Sequence, residues 1–181
     1  MKIDETSLPG VLMFTPNIYR DSRGAFWETW NHRSMAEAGL PSAWAQDNFS
    51  ISKRNVLRGI HYQLIHPQGK LVRVAFGAAL DVVVDLRRSS PNFAKHVAVE
   101  LTGENGRMLW IPEGFGHAFL SLADVTGFAY KVTDEYFPAG ERTILWNDPN
   151  IAIPWPIDPK LAILSDKDSK GFLLPDAEVF A

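Results

Sequence analysis

Short runs of β-branched and aromatic residues, separated by turn-forming residues, dominate the middle of the chain. KLVRVAF, DVVVDL, HVAVEL, RMLWI and GFAYKV follow one another between residues 70 and 132. Regularly spaced runs of this kind are typical of strands in a β-sandwich, barrel or jelly roll, and not of alternating βαβ units. Gly77 separates the first two runs, so we predict that they form a hairpin.

Helix is scarce. HRSMAEAGL, residues 32–40, is the best candidate for a short helix flanking the sheet. The chain beyond Trp146 contains Pro149, Pro154, Pro156 and Pro159 and is predicted to wrap around the barrel in extended segments and turns. No repeat, linker or low-complexity tract divides the chain, so residues 1–181 are predicted to form one domain.

Composition excludes several classes of protein. The 181 residues carry a net charge of -3, with no basic block for a nucleic-acid backbone. Cysteine is absent, which excludes disulfides, thiol nucleophiles and thiolate metal sites. The acidic N-terminus, MKIDETSLPGV, does not resemble a signal peptide, and no apolar run is long enough for a bilayer, so we expect a cytoplasmic protein without membrane partners.

Ionisable residues interrupt the strand pattern at several points. His61 and Gln63 alternate with Tyr62 and should share one face of a strand, while His117, Tyr130 and Asp168 lie further along the chain. Each has an ordinary structural interpretation: a satisfied histidine, a core tyrosine with its hydroxyl at the rim, or a helix-capping aspartate. Residue types alone leave both interpretations open.

A metal site is the first functional hypothesis. Cupin barrels hold a metal with two histidines one residue apart and a third in a PxGxxH segment, and PEGFGH matches the latter through His117. Glutamine occupies the second histidine position, at Gln63, and no glutamate follows at the usual spacing. A neutral amide is a poor ligand beside two imidazoles, so we expect no metal.

Eight collinear segments instead resemble the nucleotide-sugar 3,5-epimerases, the RmlC-type cupins. They are DSRGAFWE, QDNFSISKRNVLRGIHYQ, QGKLVRV, DVVVDLRRSSPNF, LWIPEGFGHAF, YKVTDEY, ILWNDPNIAIPWP and LSDKD. The resemblance implies an all-β cupin jelly roll with short flanking helices and a homodimer. It also implies a dTDP-linked 4-keto-6-deoxyhexose as substrate, in dTDP-L-rhamnose biosynthesis, and an isomerase that needs no cofactor.

The resemblance also implies roles for individual residues. His61 matches the family's base, Asp168 the aspartate that orients it, Tyr130 the acid on the opposite face, and Lys70 a cation near the developing oxyanion. Asp81 is a further candidate for the pocket.

The remaining matched residues concern binding. Those matched to the diphosphate are Arg23 and Arg58; those matched to nucleotide or sugar are Phe26, Glu28, Gln46, Asn48 and His117. Glu135 departs from the family, many members of which carry a nucleobase-stacking tyrosine at that position, and this bears on the identity of the nucleotide. Inversion at C3 or C5 alone and a non-catalytic sugar-nucleotide-binding cupin remain the alternatives.

Overall fold

The computed structural model describes residues 1–181, and strands dominate it. The thirteen strands are β1 (Lys2–Glu5), β2 (Leu12–Thr15), β3 (Tyr19–Asp21), β4 (Gly24–Phe26), β5 (Gln46–Lys53), β6 (Leu57–Gln63), β7 (Lys70–Phe76), β8 (Ala78–Asp85), β9 (His96–Thr102), β10 (Met108–Ile111), β11 (Phe115–Ser121), β12 (Val125–Val132) and β13 (Glu141–Thr143). The two α-helices are α1 (His32–Glu37) and α2 (Asp166–Ser169), and single 3₁₀ turns occupy Pro138–Gly140, Pro159–Leu161 and Leu174–Asp176.

Two antiparallel sheets form a sandwich. The six-stranded sheet has the order β1-β2-β10-β7-β12-β5, and the five-stranded sheet has the order β13-β6-β11-β8-β9. β3 and β4 form a separate two-stranded hairpin. Neighbouring strands within each large sheet are mostly distant in sequence, as in a jelly roll, and the predicted all-β cupin class is confirmed.

Alternate side chains of both sheets meet in the core. Val72 and Phe128 of the six-stranded sheet pack against Val83, Phe115 and Phe119 of the other. The rings of Phe119 and Phe128 stack with centroids 4.1 Å apart. Burial of each side chain of this size contributes about 1.5–3 kcal/mol to the free energy of folding. Packing in this layer is therefore the main interaction that holds the two sheets together.

The predicted hairpin at Gly77 is wrong. β7 belongs to the six-stranded sheet and β8 to the five-stranded sheet, so the chain crosses between sheets at this glycine. Gly77 has φ +78°, and a Cβ there would lie 2.3 Å from the Val125 carbonyl oxygen. Alternation of side chains predicts strands but contains no information on which sheet each one joins.

Helix α1 confirms the predicted helical segment. Asn31 caps it by accepting a hydrogen bond from the Ser34 N–H at 3.1 Å, and Met35 packs with Phe14 and Trp110 on the outer face of the six-stranded sheet. None of the helices has the length and apolar character needed to cross a bilayer.

The C-terminal segment covers the outer face of the five-stranded sheet. Leu174 and Ala177 pack against Tyr62 and Ile144, and the Tyr62 hydroxyl donates to the Glu178 carbonyl oxygen at 2.5 Å. Tyr62 therefore lies on the opposite face of β6 from His61, as the alternation predicts. The same segment carries α2 back to the open end of the sandwich, where it contacts β6.

Candidate active site

A cavity of about 380 Å³ opens between the two sheets at one end of the sandwich. The interior positions change there from apolar to polar; on β12, for example, the buried Phe128 is followed at the next inward position by Tyr130. The polar residues that line the cavity are Gln46, Asn48, Ser50, Arg58, His61, Gln63, Gln68, Lys70, His117, Tyr130, Tyr136, Glu141 and Lys167. At this end of the sandwich, polar groups that can bind a ligand or transfer protons thus replace the apolar side chains of the core.

His61 projects into the cavity from β6 and is held from behind by Asp168. Its Nε2 lies 2.5 Å from Asp168 Oδ1, and no protein group bonds its Nδ1. Burial is the main cause that lowers the pKa of His61, although Asp168 raises it in part. At neutral pH the ring is therefore neutral, with Nε2 donating to the carboxylate and Nδ1 free to accept a proton.

The Asp168 carboxylate is fixed by three donors. Besides His61, Ser165 Oγ donates to Oδ2 at 2.7 Å and the Gly59 N–H donates to Oδ1 at 3.3 Å. Burial alone would raise the pKa of Asp168, but the hydrogen bonds from His61 and Ser165 outweigh it and lower the pKa. The carboxylate therefore stays ionised and orients the imidazole.

Gly59 allows this approach. It has φ +121°, and a Cβ there would lie 2.4 Å from the Cβ of Ala118 on β11. A side chain at this position would push β6 away from its neighbour and remove the N–H from reach of Asp168.

Tyr130 lines the cavity from β12, in the sheet opposite His61. Its ring packs against Phe128 with centroids 6.4 Å apart. Burial raises the pKa of Tyr130, and the nearby Arg58 only partly offsets this. The phenol is therefore protonated at neutral pH and can act as a proton donor.

Lys70, the first residue of β7, is 9% exposed and lines the same cavity. Burial lowers its pKa to about 8, with Glu141 and Asp81 acting in the opposite direction. An ammonium in so poorly hydrated a position is strongly attracted to a negative charge that develops nearby.

A second histidine–aspartate pair lies beside the first. His117 on β11 is the register partner of His61 on β6, and its Nε2 lies 2.8 Å from Asp81 Oδ2. Asp81 is fully buried, and its Oδ1 has no hydrogen-bond partner. Asp81, a candidate for the pocket, does not line the cavity itself and contacts the cavity wall through His117.

Four of the seven expected binding residues line the cavity, His117 among them, and three do not. Gln46, Asn48 and Arg58 line it, and Gln46 Nε2 donates to Asn48 Oδ1 at 2.7 Å. The others, Arg23, Phe26 and Glu28, lie on or just after the β3–β4 hairpin, outside the cavity.

The hairpin residues face solvent within one chain. The Arg23 side chain is 88% exposed and pairs with Asp21 at 2.7 Å, and Phe26 is 73% exposed. Glu28 accepts a hydrogen bond from Asn31. One copy of the chain therefore does not bring these residues to His61.

Sequence reasoning missed Tyr136, Glu141 and Lys167, which line the cavity. Lys167 is adjacent to Asp168 in the SDKD segment, so its neighbour could have indicated it as a site residue. Glu141 begins β13, whose three residues are too few to show a periodic pattern.

Gln63 occupies the position of a metal ligand in other cupins, and here its amide binds backbone. Nε2 donates to the carbonyl oxygens of His66 (2.7 Å) and Glu135 (3.3 Å), and Oε1 accepts from the Phe137 N–H (2.9 Å). These bonds hold the loop that carries Tyr136 over the cavity. No group of three or more histidine, aspartate or glutamate side chains is arranged around a common point for a metal.

Comparison with known proteins shows the family to which the whole chain is similar. A family model described as dTDP-4-dehydrorhamnose 3,5-epimerase matches residues 5–176. The dTDP-4-dehydrorhamnose 3,5-epimerase of Pseudomonas aeruginosa is 46% identical over 181 residues, covering 99% of both chains.

Solved structures are similarly close. A dTDP-6-deoxy-D-glucose-3,5-epimerase from Legionella pneumophila, in complex with dTDP-4-keto-L-rhamnose, superposes with a TM-score of 0.94 and 43% identity, covering 98% of this chain and 94% of that one. A 3'-monoepimerase from Streptomyces bikiniensis, in complex with dTDP-quinovose, gives a TM-score of 0.89 at 37% identity, covering 94% and 86%.

Proposed function

The chain belongs to the dTDP-4-dehydrorhamnose 3,5-epimerase family, and we propose that it inverts both C3 and C5 of dTDP-4-keto-6-deoxy-D-glucose. The product would be dTDP-4-keto-L-rhamnose, a precursor of dTDP-L-rhamnose. One observation carries the proposal: a histidine bonded to an aspartate and a tyrosine face one cavity from opposite sheets, with a buried lysine on its wall.

The proposed reaction is proton transfer at carbon. The C4 ketone acidifies the protons on C3 and C5, and His61 Nδ1 removes one of them to give an enolate. Asp168 stabilises the imidazolium that forms, and Lys70 stabilises the negative charge on O4. Tyr130 then donates its proton to the opposite face of the same carbon, which inverts the centre. These steps require no metal or organic cofactor.

Binding of the dTDP moiety is proposed to need two copies of the chain. Arg58, Gln46 and Asn48 would bind within one cavity, while Arg23, Phe26 and Glu28 would reach it from the hairpin of a second copy. Phe49 and Ile51 of the edge strand β5 support this, because they are 56% and 62% exposed and suit an apolar contact between copies. We therefore propose a homodimer with shared sites.

Proton exchange with solvent tests the reaction directly. Purified protein is incubated with dTDP-4-keto-6-deoxy-D-glucose in deuterated water, and exchange at C3 and C5 is followed by NMR. Exchange with inversion at both carbons supports the proposal. Exchange at C3 alone would instead favour the activity of the monoepimerase to which the chain is similar. If neither proton exchanges, and GDP- and UDP-linked analogues are also inert, the chain is a binding protein and the catalytic proposal fails.

Mixed dimers test the shared site. Arg23→Ala and His61→Asn variants, each with strongly reduced turnover alone, are combined after mild denaturation and refolding. If sites are shared, the mixture recovers activity, because half of the sites in each mixed dimer contain both Arg23 and His61. Light scattering gives the mass of each species. A monomer of full activity would contradict the dimer.

Because nucleoside-diphosphate sugars are cytoplasmic metabolites, the proposed substrate also implies a cytoplasmic enzyme.

A further inference from the structure

The reaction proposed above leaves two groups in the wrong protonation state after each inversion. His61 has gained a proton from carbon, and Tyr130 has given one to the opposite face. Before the second carbon of the same sugar can be inverted, His61 must lose a proton and Tyr130 must regain one. The sugar then occupies the space between them, so a route through protein groups would allow both inversions in one binding event.

Glu141 lies at the centre of a hydrogen-bonded network on the cavity wall. Its Oε2 accepts from the Tyr136 hydroxyl at 2.9 Å, and its Oε1 accepts from Lys167 Nζ at 2.8 Å. All three residues line the cavity that contains His61 and Tyr130. The Glu141 side chain is 17% exposed, so it faces this cavity more than the outer solvent.

Strand register places Glu141 near His61. β13 pairs with β6 so that Glu141 faces Gln63 and Thr143 faces His61. Glu141 and His61 are therefore diagonal neighbours on one face of the sheet, within reach of long side chains. Burial raises the pKa of Glu141, but the hydrogen bond and charge of Lys167 outweigh it, with smaller contributions from Tyr136 and His61, so the pKa is lowered.

The other end of the network is linked to the strand beside Tyr130. The Tyr136 N–H donates to Gln46 Oε1 at 3.1 Å, and the Gln46 amide donates to Asn48 Oδ1. Asn48 is the register partner of Tyr130. The pKa of Tyr136 is raised chiefly by its hydrogen bond to Glu141, then by burial, and the charge of Tyr130 adds to this. Glu141 likewise contributes to the raised pKa of Tyr130, after burial. The carboxylate and the Tyr136 hydroxyl thus share one cavity with the proposed base on one sheet and the proposed acid on the other.

We propose that Glu141 and Tyr136 return a proton from His61 to Tyr130 after each inversion, an inference that rests on the proposed function. Glu141 takes the proton from the imidazolium, directly or through one water molecule. It passes a proton to the Tyr136 oxygen while Tyr136 gives its own proton to the Tyr130 phenolate. One proton has then moved, Glu141 and Tyr136 are unchanged, and His61 and Tyr130 are ready again.

The transfer is favourable overall, because a phenol holds its proton far more tightly than an imidazolium does. Lys167 holds the Glu141 carboxylate in place between transfers. A single inversion per binding event would not need this return path. Interrupting it should therefore cause release of sugar inverted at only one carbon.

Glu141→Gln and Tyr136→Phe test the proposal. Glutamine keeps the length of Glu141 and can still bind Lys167 and Tyr136, but it cannot accept the proton. Phenylalanine removes the Tyr136 hydroxyl and leaves the Glu141–Lys167 pair intact. In both variants, NMR in deuterated water should show the ratio of singly to doubly inverted sugar rising about tenfold or more.

Two controls separate the relay from a structural effect. Glu100→Gln, an exposed position on β9, should keep the unmodified ratio. Added imidazole buffer should restore double inversion in the Glu141→Gln variant, because it supplies the missing proton transfer from solution.

The outcomes are distinct. An unchanged ratio in both variants, or equal loss of exchange at both carbons without rescue by buffer, overturns the relay while leaving the proposed function intact. Exchange at one carbon only in the unmodified protein overturns the relay and selects single-site epimerisation. No exchange at all in the unmodified protein overturns the proposed function, and the relay with it.

Discussion

Two histidine–aspartate pairs stand side by side in the cavity wall, yet their surroundings differ. Both imidazoles bond a carboxylate through Nε2, at 2.5 Å for His61–Asp168 and 2.8 Å for His117–Asp81. Asp168 has further donors in Ser165 and Gly59, whereas Asp81 has a buried oxygen with no donor. Both carboxylate oxygens of Asp168 thus have hydrogen-bond donors, whereas one carboxylate oxygen of Asp81 has none.

The difference indicates different tasks. A carboxylate with every oxygen bonded keeps its position as the imidazole gains and loses a proton, which suits the proposed base His61. Asp81 depends on His117 alone for a hydrogen bond. Burial lowers the pKa of Lys70, and the charge of Asp81 offsets part of that lowering. We therefore propose that the second pair acts mainly on stability and on the charge of Lys70, in addition to the binding role expected of His117.

The largest expected effect comes from replacing His61. His61→Asn should reduce exchange at both carbons by about 10²–10⁴-fold, because it removes the proposed base. Binding of dTDP, measured by calorimetry, should change little. His66→Asn, an exposed position, is the matched control. Wild-type exchange in His61→Asn would contradict the assignment of His61 as the base.

Replacing His117 should affect folding more than chemistry. His117→Ala leaves the fully buried Asp81 without its only partner, which typically costs about 3–5 kcal/mol. Urea unfolding of the variant, compared with His61→Asn, measures the contrast. The double variant His117→Ala with Asp81→Ala should regain part of the loss, since it removes the stranded carboxylate. Equal stability of His117→Ala and wild type would contradict the structural role of this pair.

Sequence reasoning found the strands, α1 and the residues that the family resemblance supplied, because alternation and collinear motifs are local signals. It could not find which sheet each strand joins, so the crossing at Gly77 was wrongly predicted as a hairpin. It also missed Glu141, since its importance arises from pairing with β6 and contact with Lys167, both distant in sequence. The exposed position of Arg23 likewise depends on tertiary structure.

The pH dependence of the exchange rate should distinguish the two histidine–aspartate pairs, because each pair affects a different ionisable group. The acidic limb reflects protonation of His61, whose pKa lies below its ordinary value, so activity falls as pH drops through that lowered pKa. The basic limb reflects loss of the Lys70 charge as pH rises through about 8. Asp81→Asn removes an anion that raises the pKa of Lys70, so the basic limb should move to lower pH while the acidic limb stays. Movement of the acidic limb alone would contradict the division of tasks.

The smallest expected effect concerns the extra donor of the first pair. Ser165 caps α2 by accepting from the Asp168 N–H at 3.1 Å, and its hydroxyl donates to Asp168 Oδ2 at 2.7 Å. Ser165→Ala should cost about 1 kcal/mol of stability through loss of the cap. It should also raise the pKa of Asp168, because a hydrogen bond that favours the ionised form is lost.

The test is whether Asp168 then behaves as Asp81 does. Ser34→Ala removes a hydroxyl near the cap of α1, remote from the cavity, and serves as the control. If exchange falls several-fold in Ser165→Ala and not in Ser34→Ala, the complete bonding of Asp168 is what separates a catalytic pair from a structural one. If both variants exchange at the wild-type rate, the short bond between His61 and Asp168 is sufficient by itself.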